Sequence, residues 1–199
     1  NPVRTVSAMV NRLEEPVLRS AVKNAMRIMG HQFVLGSNIK AALERSRIAS
    51  QNKQTYSFDM LGEAALSKQG AELYMESYRQ AIKAIGEASD ASQSLNDRAS
   101  ISVKLSALYP RYEYSHKQRA VEKLSQRLQQ LAELAKESGI ALTVDTKECD
   151  RQSMLLEIFE RVFNSPTLSQ WDGFGLAVQA YQKCAIHVLR WLEALATVA

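Results

Sequence analysis

The spacing of apolar residues predicts helices over the first fifty residues. Pro16 suits the first turn of a helix, and Gly30 is the expected end of that helix. Either Ser37 or Asn38 is expected to cap a second helix that runs to about Ser50. We therefore predict a helical lead-in over residues 1–52. The apolar positions that recur at helical steps in the first helix are Val17, Leu18, Val22, Ala25, Met26 and Met29.

Beyond residue 52 the pattern changes to short β-favouring stretches, each followed by a helical one. Strands are predicted at residues 55–61, 101–108, 140–146 and 174–181. A capping box at Ser115 and Gln118 is expected to start one of the helices, and Gly139 to end it. A last helix is predicted from about Ile186 to the end. The apolar faces predicted for the three earlier helices comprise Leu73, Tyr74, Tyr78, Ile82 and Ile85; Val121, Leu124, Leu128, Leu131 and Leu134; and Met154, Leu155, Ile158, Phe159 and Val162.

The order β-α-β-α-β-α-β-α predicts an α/β fold with a parallel sheet and right-handed crossovers. Four such units are half of an eight-stranded β/α barrel, and they would also suit a small doubly wound sheet. The first strand–helix turn contains only Gly62, so a glycine-rich dinucleotide fingerprint is absent from it. We therefore predict a partial β/α barrel over residues 53–199.

Composition narrows the function classes. The 199 residues are 46% hydrophobic and 23% charged, as in a globular domain, and the apolar runs are too short to span a membrane. The net charge of +4 is spread along the chain without a basic run, which disfavours nucleic-acid binding within this segment. The start, Asn1-Pro2-Val3-Arg4, lacks Met and an apolar leader, so we expect a chain trimmed from a longer protein.

The cysteines and histidines favour neither a metal nor a redox motif. Cys149 and Cys184 are too far apart for a Cys-x-x-Cys motif, and we expect free, buried thiols in a reducing cytoplasm. None of the three histidines has metal-ligand spacing with another histidine or cysteine. These are His31, His116 and His187.

Each predicted strand carries a polar residue in or near its C-terminal half, where β/α barrels build their sites. A lysine within a strand needs a negative partner if it is buried, and it can serve as a Schiff-base nucleophile or as a cation for a carboxylate or phosphate. Structural roles are the alternatives: helix capping or helix-dipole contacts for the carboxylates, ion pairing for the lysine and loop bonding for the amide. The candidate residues are Asp59, Glu63, Lys104, Asp145 and Gln179.

Five stretches resemble the proline dehydrogenase domain of the bifunctional flavoenzymes called proline utilization A, in matching order and spacing. They are MRIMGHQFVLG (26–36), YSFDMLGEAAL (56–66), SVKLSALYPRY (102–112), VDTKECDR (144–151) and GFGLAVQAYQK (173–183). The resemblance runs from about residue 8 to the end. It implies an eight-stranded β/α barrel that holds FAD and oxidises L-proline to Δ1-pyrroline-5-carboxylate. Electrons would then pass to a membrane quinone, from a cytoplasmic enzyme that in full length can lie against the inner membrane.

The resemblance also implies roles for individual residues. Lys104 matches the lysine that pairs with the proline carboxylate, and Asp145 matches an aspartate close to the substrate. Gln179 matches a glutamine that contacts the flavin ring, and Glu63 a glutamate that gates the site by pairing with an arginine. Asp59 is carried over more loosely.

Two departures from the family stand out. The family more often has Ala and Glu where this chain has Thr146 and Lys147, which reverses a charge beside Asp145. The later strands, with the arginines that complete the carboxylate clamp and most FAD phosphate and adenine contacts, lie outside residues 1–199. A half barrel would leave two sheet edges and an apolar inner face open, so we expect pairing with a missing C-terminal half or with a second copy.

On these grounds the isolated 199-residue chain is expected to be inactive. Two alternatives to the dehydrogenase stay open: a non-catalytic α/β assembly module, and a lysine-dependent barrel aldolase.

Overall fold

A computed structural model of the chain describes residues 16, 18–26, 28–30, 33–49, 54–62, 64–145, 147 and 149–198. The chain divides into two compact units, residues 1–51 and residues 52–199.

The described part of the first unit is mostly helical, and Gly30 is not a helix end as predicted. Residues 18–26, 28–30 and 33 are helical, and Val34 N donates to the Gly30 carbonyl at 2.7 Å. The next helix, α1 (Ile39–Ala49), is capped by Asn38, whose Oδ1 accepts from Ala41 N at 3.0 Å. Of the two predicted caps, the side chain of Asn38 therefore supplies this bond.

The second unit alternates strands and helices, as predicted. In chain order it contains β1 (Ser57–Asp59), α2 (Lys68–Ala88), β2 (Ser100–Lys104), the short helix α3 (Leu105–Leu108), α4 (Lys117–Glu137), β3 (Leu142–Asp145), α5 (Gln152–Phe163), β4 (Phe174–Leu176) and α6 (Ala185–Val198). Each strand is shorter than its predicted range, and in β2 this is because the apolar stretch continues into the helix Leu105–Leu108.

The four strands form one parallel sheet in the order β1-β2-β3-β4. Each strand lies beside the next one in sequence, and α4 packs on both α2 and α5. This arrangement confirms the α/β fold and agrees with one side of a β/α barrel.

One face of the sheet is apolar and covered by the helices. Its side chains belong to Phe58, Ile101, Val103, Leu142, Val144 and Phe174. The Phe174 ring stacks on Phe159 of α5 at a centroid distance of 4.7 Å, and Phe159 meets Trp191 of α6 edge-on at 6.3 Å. Helix α5 therefore joins the sheet to α6.

The buried stripe of α2 confirms three of the five predicted residues, Tyr78, Ile82 and Ile85. Leu73, which we expected on the apolar face, is 64% exposed. The buried positions instead step by three and four residues from Ala71. They are Ala71, Met75, Tyr78, Ala81, Ile82 and Ile85.

The opposite face of the sheet is polar, which corrects the expectation of an open apolar inner face. Because side chains alternate along a strand, the register places eight residues on this face. They are Ser57, Asp59, Ser100, Ser102, Lys104, Thr143, Asp145 and Gly175. Small hydroxyl-bearing side chains and the charged residues thus lie where a closed barrel has its interior.

Helix termini confirm one sequence prediction and contradict another. Gly139 follows the C-cap residue Ser138 with φ +67°, and its N donates to the Lys136 carbonyl, so it ends the helix as predicted. The capping box at Ser115 is absent, because its Oγ contacts Glu113 and His116 instead of the start of α4.

Ser67 is the cap that the structure provides for α2, since its Oγ accepts from Gly70 N at 3.0 Å. Replacement of Ser67 by alanine should lower the free energy of unfolding by about 1 kcal/mol, the usual cost of a lost N-cap. Urea denaturation would measure it. Ser92→Ala, which alters a loop and no helix, is the control, and equal effects of the two substitutions would contradict the capping role.

Candidate active site

Lys104 is the last residue of β2, in the C-terminal half of the strand as predicted. The chain changes from strand to helix directly after it, and Leu105–Leu108 forms α3. Lys104 is paired in register with Asp145, the last residue of β3. In a parallel sheet the C-terminal ends of all strands lie at the same end of the sheet. In β/α barrels this is the end that carries the active site.

The ammonium group of Lys104 meets two carboxylates. Its Nζ contacts Asp59 Oδ1 directly and lies 3.9 Å from Asp145 Oδ2. The Lys104 side chain is 5% exposed, against 40% for Asp59 and 14% for Asp145. A buried cation therefore has the negative partners that its desolvation requires.

Neither aspartate serves as the helix cap that was the structural alternative. Ser67 caps α2, and α5 begins at Gln152 after a 3₁₀ turn at Cys149–Arg151. Asp59 and Asp145 instead converge on the lysine between them, from the two strands that flank β2.

Lys147 extends this cluster. Its Nζ lies 3.8 Å from the same Asp145 Oδ2 that faces Lys104, and its side chain is half exposed. The cluster thus alternates in sign: Asp59, Lys104, Asp145, Lys147. Two carboxylates balance two ammonium groups. Thr146 lies outside the described residues.

Tyr78 is buried and contacts the site. The sequence pattern had predicted it only as a residue of the apolar face of α2. Its hydroxyl accepts a hydrogen bond from the backbone N of Lys104 at 3.2 Å, and its side chain is fully buried. The signal available in the sequence was the phenol itself, because a buried tyrosine hydroxyl usually requires a partner.

Of the remaining two candidates, the structure describes only Gln179. Gln179 is half-buried in the loop between β4 and α6, where its backbone carbonyl accepts from Gln182 N at 3.1 Å. Glu63 lies outside the described residues. The site that the structure defines therefore consists of Asp59, Lys104 and Asp145, with Lys147 and Tyr78 in contact with it.

The cysteines differ from the prediction of buried thiols. Cys149 is exposed and Cys184 half-buried, and both are free. Among the described residues, no group of three histidine, cysteine or acidic side chains could hold a metal ion. Within the same part of the chain, no helix has the length and apolar character needed to cross a membrane.

A cleft of about 500 Å³ lies at the opposite end of the sheet. It is lined by Trp171, Asp172 and Phe174, which precede or begin β4, and by the loop after α5. Lys104 and Asp145 lie at the C-terminal ends of their strands, whereas this cleft lies at the N-terminal end of β4. The cleft is therefore not part of their site. The candidate chemistry therefore rests on the polar cluster and not on the cleft.

Tyr78 should make the protein less stable at high pH. Burial, opposed by the Lys104 N–H bond and reinforced by Asp59 and Asp145, raises the pKa of Tyr78 from 10.0 to about 12. The unfolded chain then loses this proton first. The stabilisation that the protonated Tyr78 hydroxyl gives the folded state is complete below pH 10 and is lost as the pH rises through about 12.

The resulting loss should be on the order of 2 kcal/mol. Urea unfolding between these pH values would measure it, and Tyr78→Phe should flatten the decline. An identical decline in this variant would contradict the assignment.

Comparison with known proteins identifies the class to which this half barrel and its lysine–carboxylate cluster belong. The family described as proline dehydrogenase matches residues 42–198. The chain belongs to the proline dehydrogenase family. Its matched range includes all four strands and every residue of the cluster.

The relatives are much longer than this chain. It is 42% identical over 194 residues to the bifunctional protein PutA of Klebsiella aerogenes, covering 98% of this chain and 15% of the relative. It is 39% identical over 191 residues to the bifunctional protein PutA of Rhizobium meliloti, and this match covers 96% of this chain and 15% of the relative. The chain thus spans about 15% of the length of these relatives.

Solved structures agree with the fold. Proline utilization A of Bradyrhizobium japonicum, in a D778Y mutant, matches with a TM-score of 0.76 and 45% identity over 95% of this chain and 19% of its own. Proline utilization A of Bdellovibrio bacteriovorus, inactivated by N-propargylglycine, matches with a TM-score of 0.84 and 25% identity. The match covers 91% of this chain and 20% of that protein's chain. These likenesses support the assignment of the four βα units to part of a proline dehydrogenase barrel.

Proposed function

We propose that this chain forms four βα units of an FAD-dependent proline dehydrogenase. The enzyme would oxidise L-proline to Δ1-pyrroline-5-carboxylate and pass the electrons to a membrane quinone. The observation that carries the proposal is the buried Lys104, held between Asp59 and Asp145 at the C-terminal edge of a parallel sheet within the family's matched range.

In this proposal Lys104 binds the carboxylate of proline. An ammonium group has three donors, and the direct contact with Asp59 uses one of them. At 3.9 Å, Asp145 is an electrostatic partner and lies beyond hydrogen-bonding distance. Lys104 therefore retains donors for a substrate carboxylate, and a charge-assisted bond there would orient the proline ring.

Asp145 and Lys147 set the charge around that bond. Lys147 neutralises part of the field of Asp145, since both lysines lie within 4 Å of the same carboxylate oxygen. A second carboxylate, that of the substrate, can then approach with less repulsion. Asp145 would border the bound proline, as the family resemblance implies.

The polar face of the sheet suits a flat cofactor ring. Ser57, Ser102, Thr143 and Gly175 are small, and the Ser57 and Ser102 hydroxyls lie 3.4 Å apart. Such a surface leaves room for a planar ring and offers hydroxyl groups to its polar edge. Gln179 would donate a hydrogen bond from its side-chain amide to the ring. Glu63 would gate the site by pairing with an arginine. When bound, FAD would supply a hydride acceptor.

A relative's ligand supports the choice of substrate. The Bdellovibrio bacteriovorus structure is described as inactivated by N-propargylglycine. That compound is a secondary amine with a carboxylate on the neighbouring carbon, as proline is. A lysine site for the carboxylate would serve both molecules.

The sheet also indicates what the enzyme needs besides this chain. β1 and β4 each have one strand neighbour in the described sheet, and four strands cannot close a β/α barrel. We therefore propose that the rest of the barrel lies in residues beyond this segment of a longer protein, as the coverage of its relatives suggests.

The test is an assay of the protein that carries residues 1–199 together with the rest of its barrel. L-proline and a short-chain quinone are added, and Δ1-pyrroline-5-carboxylate is followed by mass spectrometry. We expect proline- and quinone-dependent product. Purified, folded protein that binds FAD and forms no product would overturn the proposal. A borohydride-stable substrate adduct on Lys104 would indicate aldolase chemistry instead.

A further inference from the structure

The backbone N–H groups of β2 point alternately to its two neighbours. Ser100 N donates to the Tyr56 carbonyl on the β1 side at 3.0 Å, and Ile101 N donates to Ala141 on the β3 side at 3.1 Å. By this alternation the N–H of Lys104, like those of Ser100 and Ser102, faces β1. However, β1 ends at Asp59, which is paired with Ser102.

Tyr78 fills the position that β1 leaves. Its hydroxyl, from α2 beneath the sheet, accepts the Lys104 N–H at 3.2 Å. Without it the main-chain donor would be buried at the end of the strand with no sheet partner, a costly arrangement.

Tyr78 is itself held firmly. Its side chain is fully buried, as are Met75 and Ile82 on the same stripe of α2. Burial also raises its pKa to about 12, so the hydroxyl stays neutral at ordinary pH. The acceptor for the Lys104 N–H is therefore fixed in both position and charge.

We infer that Tyr78 is a positioning residue for substrate binding: it fixes the main chain at Lys104 so that the ammonium group stays between Asp59 and Asp145, aligned for the substrate carboxylate. This inference rests on the proposed function. Lys104 is the last strand residue before α3, and its ψ of 124° is still that of extended backbone. A shift of the main chain at this residue would move its whole side chain. Displacements near 1 Å are enough to weaken binding in an oriented site.

The test is a double-substitution cycle in the protein that includes the rest of the barrel. Tyr78→Phe keeps the ring and removes the acceptor. We expect it to raise KM for L-proline roughly ten-fold with kcat changed less than about two-fold, the pattern of weakened binding. In a Lys104→Met background the same substitution should leave KM unchanged, because no ammonium remains to be positioned.

A structural role alone would not give this pattern. Tyr112→Phe removes the hydroxyl of another buried tyrosine, 2% exposed, and should leave KM for proline unchanged even if stability falls. If Tyr78→Phe does not fold, a fluorinated tyrosine at position 78, a weaker acceptor of the same shape, should raise KM in the same direction.

The outcomes separate the inference from the function on which it rests. An unchanged KM in Tyr78→Phe, or equal effects with and without Lys104, would overturn the positioning role while leaving proline oxidation intact. A parent protein that does not oxidise proline would overturn the proposed function itself. A KM that is insensitive to Lys104→Met would remove the carboxylate-binding role of Lys104 and, with it, the positioning role of Tyr78, while proline oxidation stands.

Discussion

Replacing Asp59 and Asp145 together by asparagine should lower the free energy of unfolding by about 3 kcal/mol, because it leaves the buried Lys104 ammonium without a counter-charge. This is the lower end of the usual range for a broken buried ion pair. The Asp59 side chain is 40% exposed, so water offsets part of the loss. Equilibrium urea unfolding at neutral pH would measure the difference.

A third substitution provides the control. Adding Lys104→Met removes the isolated charge and should recover most of the lost stability, since a methionine of similar length suits the buried position. Lys147→Met alone, at a half-exposed ion pair, should change stability by less than about 1 kcal/mol. A double aspartate variant as stable as the parent would contradict the view that the two carboxylates balance Lys104.

Lys104→Met should raise KM for L-proline by the equivalent of roughly 1.5–3 kcal/mol, which is the worth of a hydrogen bond to a charged group. Because the ammonium binds a part of the substrate that does not react, the effect should fall mainly on KM. Steady-state kinetics of the protein that includes the rest of the barrel would measure it.

Lys83→Met is the matched control, because Lys83 is an exposed lysine of α2 outside the cluster. Its KM for proline should equal that of the parent. If Lys104→Met shares the parent's kinetics, Lys104 does not bind the substrate carboxylate, and its role is confined to pairing with Asp59 and Asp145.

The fold was largely predictable because each helix has a strong apolar period. The buried residues predicted for α5, such as Met154 and Phe159, are all confirmed, and the alternation of strands and helices gave the parallel sheet. Periodicity was less informative at element ends. Leu105 and Leu108 continue the apolar pattern of β2 yet belong to a short helix, because an apolar run fits a buried strand and a buried helix equally well.

The site was predictable in part. The polar residues at strand ends indicated a cluster, and Lys104 meets Asp59 and Asp145 there. The contact with Tyr78 could not be predicted, since it depends on where β1 ends and on which turn of α2 lies beneath β2. The same limit applies to Lys147, whose pairing with Asp145 depends on the path of the loop after β3.

The proposed roles of Gln179 and Glu63 stay predictions from family resemblance. Gln179 lies in the loop after β4, on the side of the sheet where the strands end, and its side chain can be tested by Gln179→Ala in the assay for proline oxidation. Glu63 lies outside the described residues.

The proposed function is tested most directly by the visible absorbance spectrum of the purified protein that carries this segment with the rest of its barrel, recorded without oxygen before and after L-proline is added. We expect an oxidised-flavin band that proline bleaches, and that in Lys104→Met is bleached only at a proline concentration roughly ten-fold or more higher. A folded protein that binds no flavin, or a flavin band that proline leaves unchanged, would contradict the proposed function.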